Sequence, residues 1–320
     1  MKLKDFYQKA VKAGIEADLR GKKAIDELLS KRKKDYEALS DKEKKYFDSD
    51  LLTSPFDDTR ILNGEGDSDI TSLIAGIDVE APELVAIDNL RKRGIKIDLA
   101  LAHHPEGRAY GHFHNVMDLQ VDAFFSKGIS IATAENLLFS RKEEVARRVH
   151  AANHERSVDI ARLLGIDFMC IHTPADNHAY EYVNDLINKE KPKTLGEALD
   201  LLYGIEEYQY AAKNNNAPTI TIGSKSARVS KIAIEFTGGT EGPVGIYEKL
   251  SASGIDTIIA MHQSEEHHKK CKECNINVIV ASHIASDNLG VNRILDKIIG
   301  SEKIKVYEFS GFKRVSRKKV

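Results

Sequence analysis

His172-Thr173-Pro174-Ala175-Asp176-Asn177 closes one short apolar run, and His283-Ile284-Ala285-Ser286-Asp287-Asn288 closes another in the second half of the chain. The runs before them, 168–171 and 278–281, have the length and residue types of buried strands. Working outward, each phrase has the same kind of segment upstream. In the first half a strand at 73–79 leads into a helix at about 82–93, then Gly94-Ile95, then a strand over 98–102 that delivers His103. In the second, a strand at 231–236 leads into a helix at about 243–253, then Gly254-Ile255, then a strand over 257–261 that delivers His262. Two copies of a βαβ unit, each followed by a strand ending in His-x-x-x-Asp-Asn, describe an internal duplication of α/β type. Its strand ends are expected to converge on one polar site, where open α/β sheets hold ligands.

The flanks read differently. Residues 1–50 are nearly all helix formers with apolar positions at helical spacing, and Ser40 followed by Glu43 predicts a capping box and a fresh helix start. Further strands are expected at 129–133 and 305–309, and the Asn-rich, proline-terminated stretch 214–218 reads as a linker. The organisation expected is a helical extension over 1–55, a first α/β half over 56–213 with a helical insertion at about 110–161, and a second half over 219–320.

Composition limits the partners. In 320 residues, 47 Lys+Arg against 49 Asp+Glu give a net charge of -2, so no global electrostatic attraction favours a nucleic acid or a membrane surface. No apolar run approaches the roughly 20 residues of a bilayer crossing. Three cysteines, Cys170, Cys271 and Cys274, are too few for a disulfide framework, and a cytoplasmic protein is expected. Histidine is the type in excess, with twelve copies.

The strand Leu99-Ala100-Leu101-Ala102 runs into His103-His104-Pro105-Glu106-Gly107. Adjacent side chains on a regular strand point to opposite faces, so His103 and His104 would serve different metals rather than share one. Asp176 and Asp287 add anionic oxygens, and a carboxylate can bridge two cations. Nitrogen and oxygen ligation with no nearby thiolate suits Zn, Fe, Mn, Co or Ni. A two-metal site built from His103, His104, Asp176, His283 and Asp287 is the economical arrangement. His172 reads as a catalytic neighbour or proton shuttle. The competing reading makes Asp176 and Asp287 helix caps, Asp287 for a helix beginning near Leu289; capping alone does not call for a histidine four residues earlier.

At these motifs the sequence resembles the Nif-three-like family (NGG-one-interacting factors), whose members are also described as type-two GTP cyclohydrolase I homologues. The resemblance rests on His103-His104-Pro105, on His172-Thr173-x-x-Asp176, and on His283-x-x-x-Asp287 followed by Gly290-Val291. It implies two similar, intertwined three-layer α/β/α domains, a ring-like homo-oligomer often hexameric, and two divalent metal ions per chain, with Zn, Fe or Mn foremost. Carried over by position, the ligands are His103, His104, Asp176, His283 and Asp287. The last is usually glutamate in the family, and Asp287 is one methylene shorter. The N-terminal extension and the segment from Tyr110 to Ala161 are absent from compact members.

Other candidates carry weaker signals. His112 and His114 would share a face if extended and line the cavity, or lie on a surface loop. His150 and His154 are four apart on a helix but lack the glutamate of an HExxH motif. Glu265, Glu266, His267 and His268 open a charged helix, read as a solvated face, and His178 has no informative partner. Cys271-Lys272-Glu273-Cys274 is a single CxxC, insufficient for zinc. The turn 238–243 lacks a P-loop lysine. The basic stretch 313–319 reads as solvated, and Cys170 as core.

Two functions follow: a metal-dependent hydrolase of a small-molecule substrate, with GTP ring opening implied only by the resemblance, or a non-catalytic metal-binding ring serving as scaffold, regulator or metal carrier.

Overall fold

The structure, a computed structural model, describes residues 1–317. Helices α1 (Leu3–Glu16) and α2 (Gly21–Ala38) and the single turn α3 (Asp41–Lys44) form the N-terminal extension. Ser40 caps α3 with the reciprocal Ser40–Glu43 bonds that its spacing predicts. The first unit then runs β1 (Arg60–Asn63), β2 (Ser72–Gly76), α4 (Ala81–Lys92) and β3 (Leu99–Ala102). An excursion of α5 (Gly107–Gly111), a 3-10 segment (Phe113–Asp118), α6 (Leu119–Ser126), α7 (Ile131–His150) and α8 (Arg156–Leu164) precedes β4 (Asp167–Cys170) and α9 (Thr173–Glu190). Helices α10 (Leu195–Tyr203) and α11 (Glu206–Lys213) lead to the second unit: β5 (Thr219–Ile222), β6 (Ile232–Glu235), α12 (Ile246–Ala252), β7 (Thr257–Ala260), α13 (Glu265–Glu273), β8 (Asn277–Val280) and α14 (His283–Ile299). Strand β9 (Lys305–Glu308) ends the ordered elements.

The duplication is visible in the sheets. One has the order β1-β4-β3-β2-β9 and the other β5-β8-β7-β6. In both, the leading strand is antiparallel to its neighbour, with a register shift at the same place, and the others are parallel. Only β9 lacks a counterpart; it pairs with β2 in parallel.

Period-2 side-chain alternation puts apolar residues on both faces of each sheet. Leu73, Ala75, Leu99 and Leu101 face Leu3, Phe6 and Ala10 of α1 and Val291, Ile294 and Ile298 of α14. Ile74, Ala100 and Phe168 face Leu84 and Ile87 of α4 and Ala161 of α8. In the second sheet, Ile234, Ile259 and Ile279 pack on Ala179, Val183 and Ile187 of α9 with α10 and α11. Ala233, Ile258 and Val278 pack on Phe124 of α6, Ile246 and Leu250 of α12 and Cys271 of α13. Each domain is thus a three-layer α/β/α sandwich. They are intertwined because α9, from the first unit, covers the second sheet, while α14, from the second, covers the first.

Three expectations are corrected. Residues 129–133 are not a strand: the Ser130 side chain accepts from the Thr133 amide and starts α7, overriding the β-branched run. Strands β1 and β5 were not anticipated; both are four-residue edge strands, and β5 begins directly after the proline of the expected linker. Finally, α14 begins at His283 rather than near Leu289.

Candidate metal centre

Strand β3 ends at Ala102 and Pro105 disfavours helix for the residue before it, so His103 and His104 hang at a strand tip. Strands β4 and β8 end just before α9 and α14, and this carries His172, Asp176, His283 and Asp287 onto the first turns of two helices that pack together. The helix start at His283 places Asp287 one turn in. Neither helix has a side-chain cap bond at its N-cap residue, His172 or Ser282, so Asp176 and Asp287 do not serve as caps. Ser282 adopts φ 80°, a conformation rare for a residue with a side chain, immediately before His283.

The ligand atoms converge. His103 Nε2 stands 3.4 Å from Asp176 Oδ1 and 3.5 Å from Asp287 Oδ1. His104 Nε2 and His283 Nε2 stand 3.5 Å and 3.6 Å from Asp287 Oδ2. His172 Nε2 is 3.7 Å from Asp176 Oδ2. These separations exceed good hydrogen bonds. They match two ligands on one ion, since metal bonds of about 2.0–2.1 Å at the tetrahedral angle set ligands roughly 3.4 Å apart. Three sets each offer ligand atoms within 4.8 Å of one another: His103, His104 and His172; His104, His283 and Asp287; and His103, Asp176 and Asp287.

Two observations test whether these residues suit a cation. His103 Nε2, Asp176 Oδ1 and both oxygens of Asp287 are buried without a hydrogen-bond partner. Orphaned polar atoms are costly in an interior, and four in one spot call for a shared partner. The other ring nitrogens are occupied: His103 Nδ1 by the Ile171 carbonyl at 3.0 Å, His104 Nδ1 by Asp78 at 2.6 Å and His172 Nδ1 by Asp58 at 2.8 Å. A carboxylate or carbonyl behind each imidazole fixes the tautomer with a lone pair on Nε2, the arrangement that accompanies metal-ligating histidine. The residues fit a divalent cation.

The electrostatics agree. Burial works to lower the His103 pKa, but the negative charges of the nearby Asp287 and Asp176 overcome it and hold it well above the usual imidazole value. His104 behaves alike, pushed up to about 9 despite burial by the neighbouring Asp287 carboxylate and its bond to Asp78. Burial opposes ionisation of Asp287, yet His103, His104 and His283 hold its carboxyl far below the ordinary range. In the absence of a cation, protonated imidazoles supply the positive charge that two buried carboxylates require.

A cleft of about 90 Å³ opens on the centre, with His172, Asp176, His283 and Asp287 in its wall. Strand β6, the turn after it, the end of β7, α12, α6 and Tyr180 of α9 form most of the remainder. His262 stands at this junction, its ring centroid 4.6 Å from that of His283.

The secondary candidates lie elsewhere. His112 and His114 stack edge-to-face at 6.4 Å, and it is Phe113 between them that reaches the centre, 5.4 Å from the His172 ring. His154 Nε2 faces Glu155 at 3.5 Å, and His150 ends α7. His267 is buried between Ser264 and the Gly242 carbonyl, whereas Glu265 and Glu266 are exposed. His178 is wholly buried 3.6 Å from Glu181. All three cysteines are free, and burial pushes the thiols of Cys170 and Cys271 up to about 12. Gly238 and Gly239 turn at φ 99° and 86° beneath Gln120, whose amide donates to the carbonyls of Gly238 and Thr240, so the turn is filled by side chain. In the basic stretch, Lys313, Arg314 and Arg317 pair with Glu308, Asp296 and Glu207; Lys318 and Lys319 lie outside the described residues. Asp58 and Asp78 escaped the sequence reading because each is an isolated acid remote from the histidine it orients.

Neither a family model nor a curated protein matches this chain. Among solved structures it is similar to a NIF3 superfamily protein from Sphaerobacter thermophilus, at 24% identity and a TM-score of 0.69 over 80% of this chain and 91% of that one. Reduced HcgD from Methanocaldococcus jannaschii aligns at 13% identity and a TM-score of 0.48 over 83% and 94%. The resemblance drawn from the motifs therefore holds at the level of the fold: this chain has the fold of NIF3 superfamily proteins. Among the described residues, no helix is long and apolar enough to cross a membrane.

Proposed function

We propose that this chain holds two divalent transition-metal ions, Zn, Fe or Mn, and acts as a hydrolase on a small-molecule substrate bound in the adjoining cleft. The observation that carries the reading is the division of the Asp287 carboxylate, one oxygen 3.5 Å from His103 and the other 3.5 Å from His104, with neither accepting a hydrogen bond. Held between the two adjacent histidines, this carboxylate would let each histidine serve its own ion. His103, Asp176 and His172 would complete one set with Asp287, and His104 and His283 the other. His172 thus serves as a ligand in this reading rather than as a proton shuttle. The second set has fewer protein donors, which leaves room for water or substrate.

Bound there, two cations would acidify a water and polarise an ester, amide or phosphoryl oxygen. The protein's share is orientation: Asp58, Asp78 and the Ile171 carbonyl aim three imidazoles, and Phe113 covers the His172 ring. His262, at the cleft wall and tied to no ligand position, is placed to hold a proton for the leaving group.

Elemental analysis of purified and metal-reconstituted protein tests the reading, followed by a screen of phosphoesters, nucleotides including GTP, and cyclic amides with and without the bound metal. About two ions per chain and metal-dependent turnover are expected. Metal without turnover would favour the scaffold or carrier reading; a folded protein with only trace metal after reconstitution would end both. The hexameric ring implied by the resemblance is read in the same samples by light scattering.

A further inference from the structure

The two units differ most at the outer edge of β2 and its counterpart β6. Register aligns Gly76 with Ala102 and Glu235 with Ala260, so Glu235 occupies in the second sheet the place of Gly76 in the first. At Gly76 the space is full: a Cβ there would stand 2.8 Å from the Phe309 ring and 3.0 Å from Ser310 Cβ, residues that follow β9. At β6, among the described residues, no strand takes the place of β9, and five consecutive residues, 233–237, line the cleft that opens on the candidate metal centre. Helix α6 covers it from outside through Gln120 and Phe124. The cleft therefore lies at the edge that β9 occupies in the first sheet, and Glu235 is the carboxylate of that edge.

Glu235 is half-buried in that wall and accepts one hydrogen bond, from the Tyr247 hydroxyl to Oε2 at 3.1 Å. Among the described residues no basic side chain pairs with it, and Oε1 has no hydrogen-bond partner. Lys127 also reaches the cleft, from a neighbouring groove that it shares with Lys191, Lys193 and Lys231, and forms no ion pair with Glu235. The cleft that holds this carboxylate is also lined by Phe124, Phe236, Tyr180 and Tyr247, so the carboxylate wants a cationic partner that also offers a flat face to aromatic rings.

We infer that the β6 edge is a recognition subsite for a small planar cation with N–H donors, of the amidinium or guanidinium type, held by Glu235 and by aromatic rings of the cleft wall. This names the substrate class of the cleft and rests on the hydrolase reading for its catalytic meaning.

The test is calorimetric titration of benzamidine, with benzamide as the neutral isostere, into metal-loaded and metal-stripped protein at about pH 8, above the value of about 7 to which burial raises the Glu235 carboxyl. Benzamidine is expected to bind one per chain and to outbind benzamide, with Glu235→Gln weakening it about tenfold or more, the scale of a lost charge-assisted bond. Metal content and thermal midpoint are measured on the same samples. Should Glu235→Gln fail to fold, Ala123→Phe, which fills the cleft from α6 and leaves the carboxylate intact, is expected to abolish binding. Equal affinities for the two probes, or unchanged benzamidine binding in folded Glu235→Gln, would overturn the inference while leaving the metal reading standing. Glu235-dependent binding by a protein that takes up no metal would support the subsite and sink the hydrolase reading.

Discussion

Gly290 of α14 lies so close to Ala175 of α9 that a Cβ on Gly290 would stand 2.3 Å from the Ala175 carbonyl oxygen. This crossing brings Asp176, the next residue on α9, and Asp287, one turn earlier on α14, to the same point. Helix propensity alone says that alanine in place of a mid-helix glycine stabilises by about 1 kcal/mol. Close approach to a backbone atom says the opposite, since the helices must separate, at a cost of about 1–3 kcal/mol. Gly290→Ala is therefore expected to lower the thermal midpoint and weaken metal binding together. A higher midpoint with unchanged metal affinity would show that the crossing does not set the ligand geometry.

By the motif resemblance, Asp287 is expected to stand where that family carries glutamate. Starting α14 at His283 places the Asp287 carboxylate one turn into the helix and within 3.6 Å of three histidine nitrogens. Asp287→Asn keeps the shape and removes the charge, and is expected to reduce metal stoichiometry from two towards one or none. Asp287→Glu should retain two ions with altered affinity or preference. Equilibrium dialysis of the two variants decides it; an unaffected Asp287→Asn would remove Asp287 from the ligand set.

The duplicated phrase was legible because a His-x-x-x-Asp spacing survives in both copies, and the strand ahead of each was legible as an uninterrupted apolar run. Both βαβ units lie where the reading placed them, within a residue or a few. Other features were hidden for physical reasons. Strand β1 offers only Ile61 and Leu62 as apolar signal, and the Ser130 cap beats the β propensity of Ile129, Ile131 and Thr133. Asp58 and Glu235 carry no pattern at all. One acts across a loop on His172, which is far away in sequence, and the other matters only because a strand present in the first sheet is missing from the second. Long-range pairing and broken symmetry leave no local trace in a single sequence.

Asp58 is fully buried and accepts from His172 Nδ1, the Thr173 amide and the Thr173 hydroxyl. Burial opposes its ionisation, and the His172 and Thr173 bonds more than compensate, lowering its pKa. As the anion behind the His172 imidazole, it fixes the tautomer that leaves the Nε2 lone pair free for a metal. Asp58→Asn is expected to weaken metal binding about 10–100-fold without abolishing it, the usual effect of removing such a partner. Competition with a chromophoric chelator measures the change. A variant with unchanged affinity and a lower thermal midpoint would reduce Asp58 to a brace for the start of α9.

Glu235 makes a prediction that needs no ligand. Burial, with Glu241 adding repulsion against the Tyr247 bond, raises its pKa from 4.5 to about 7. In the unfolded chain the proton leaves near the ordinary carboxylate value, whereas in the folded protein it stays until about pH 7. Between those values the folded state binds more protons, so stability contributed by the neutral acid is fully present below about pH 4.5 and is lost as pH rises to about 7. At 1.36 kcal/mol per unit the full shift is worth about 3 kcal/mol, and water in the cleft reduces this to about 1–3 kcal/mol. Glu235→Gln keeps an oxygen for Tyr247 and cannot ionise. Denaturant unfolding of metal-stripped protein at pH values from about 5 to 8 should therefore show the wild type losing stability relative to the variant as pH rises, with the variant the more stable above about pH 7. Parallel curves would mean that Glu235 titrates normally, already hydrated within the cleft.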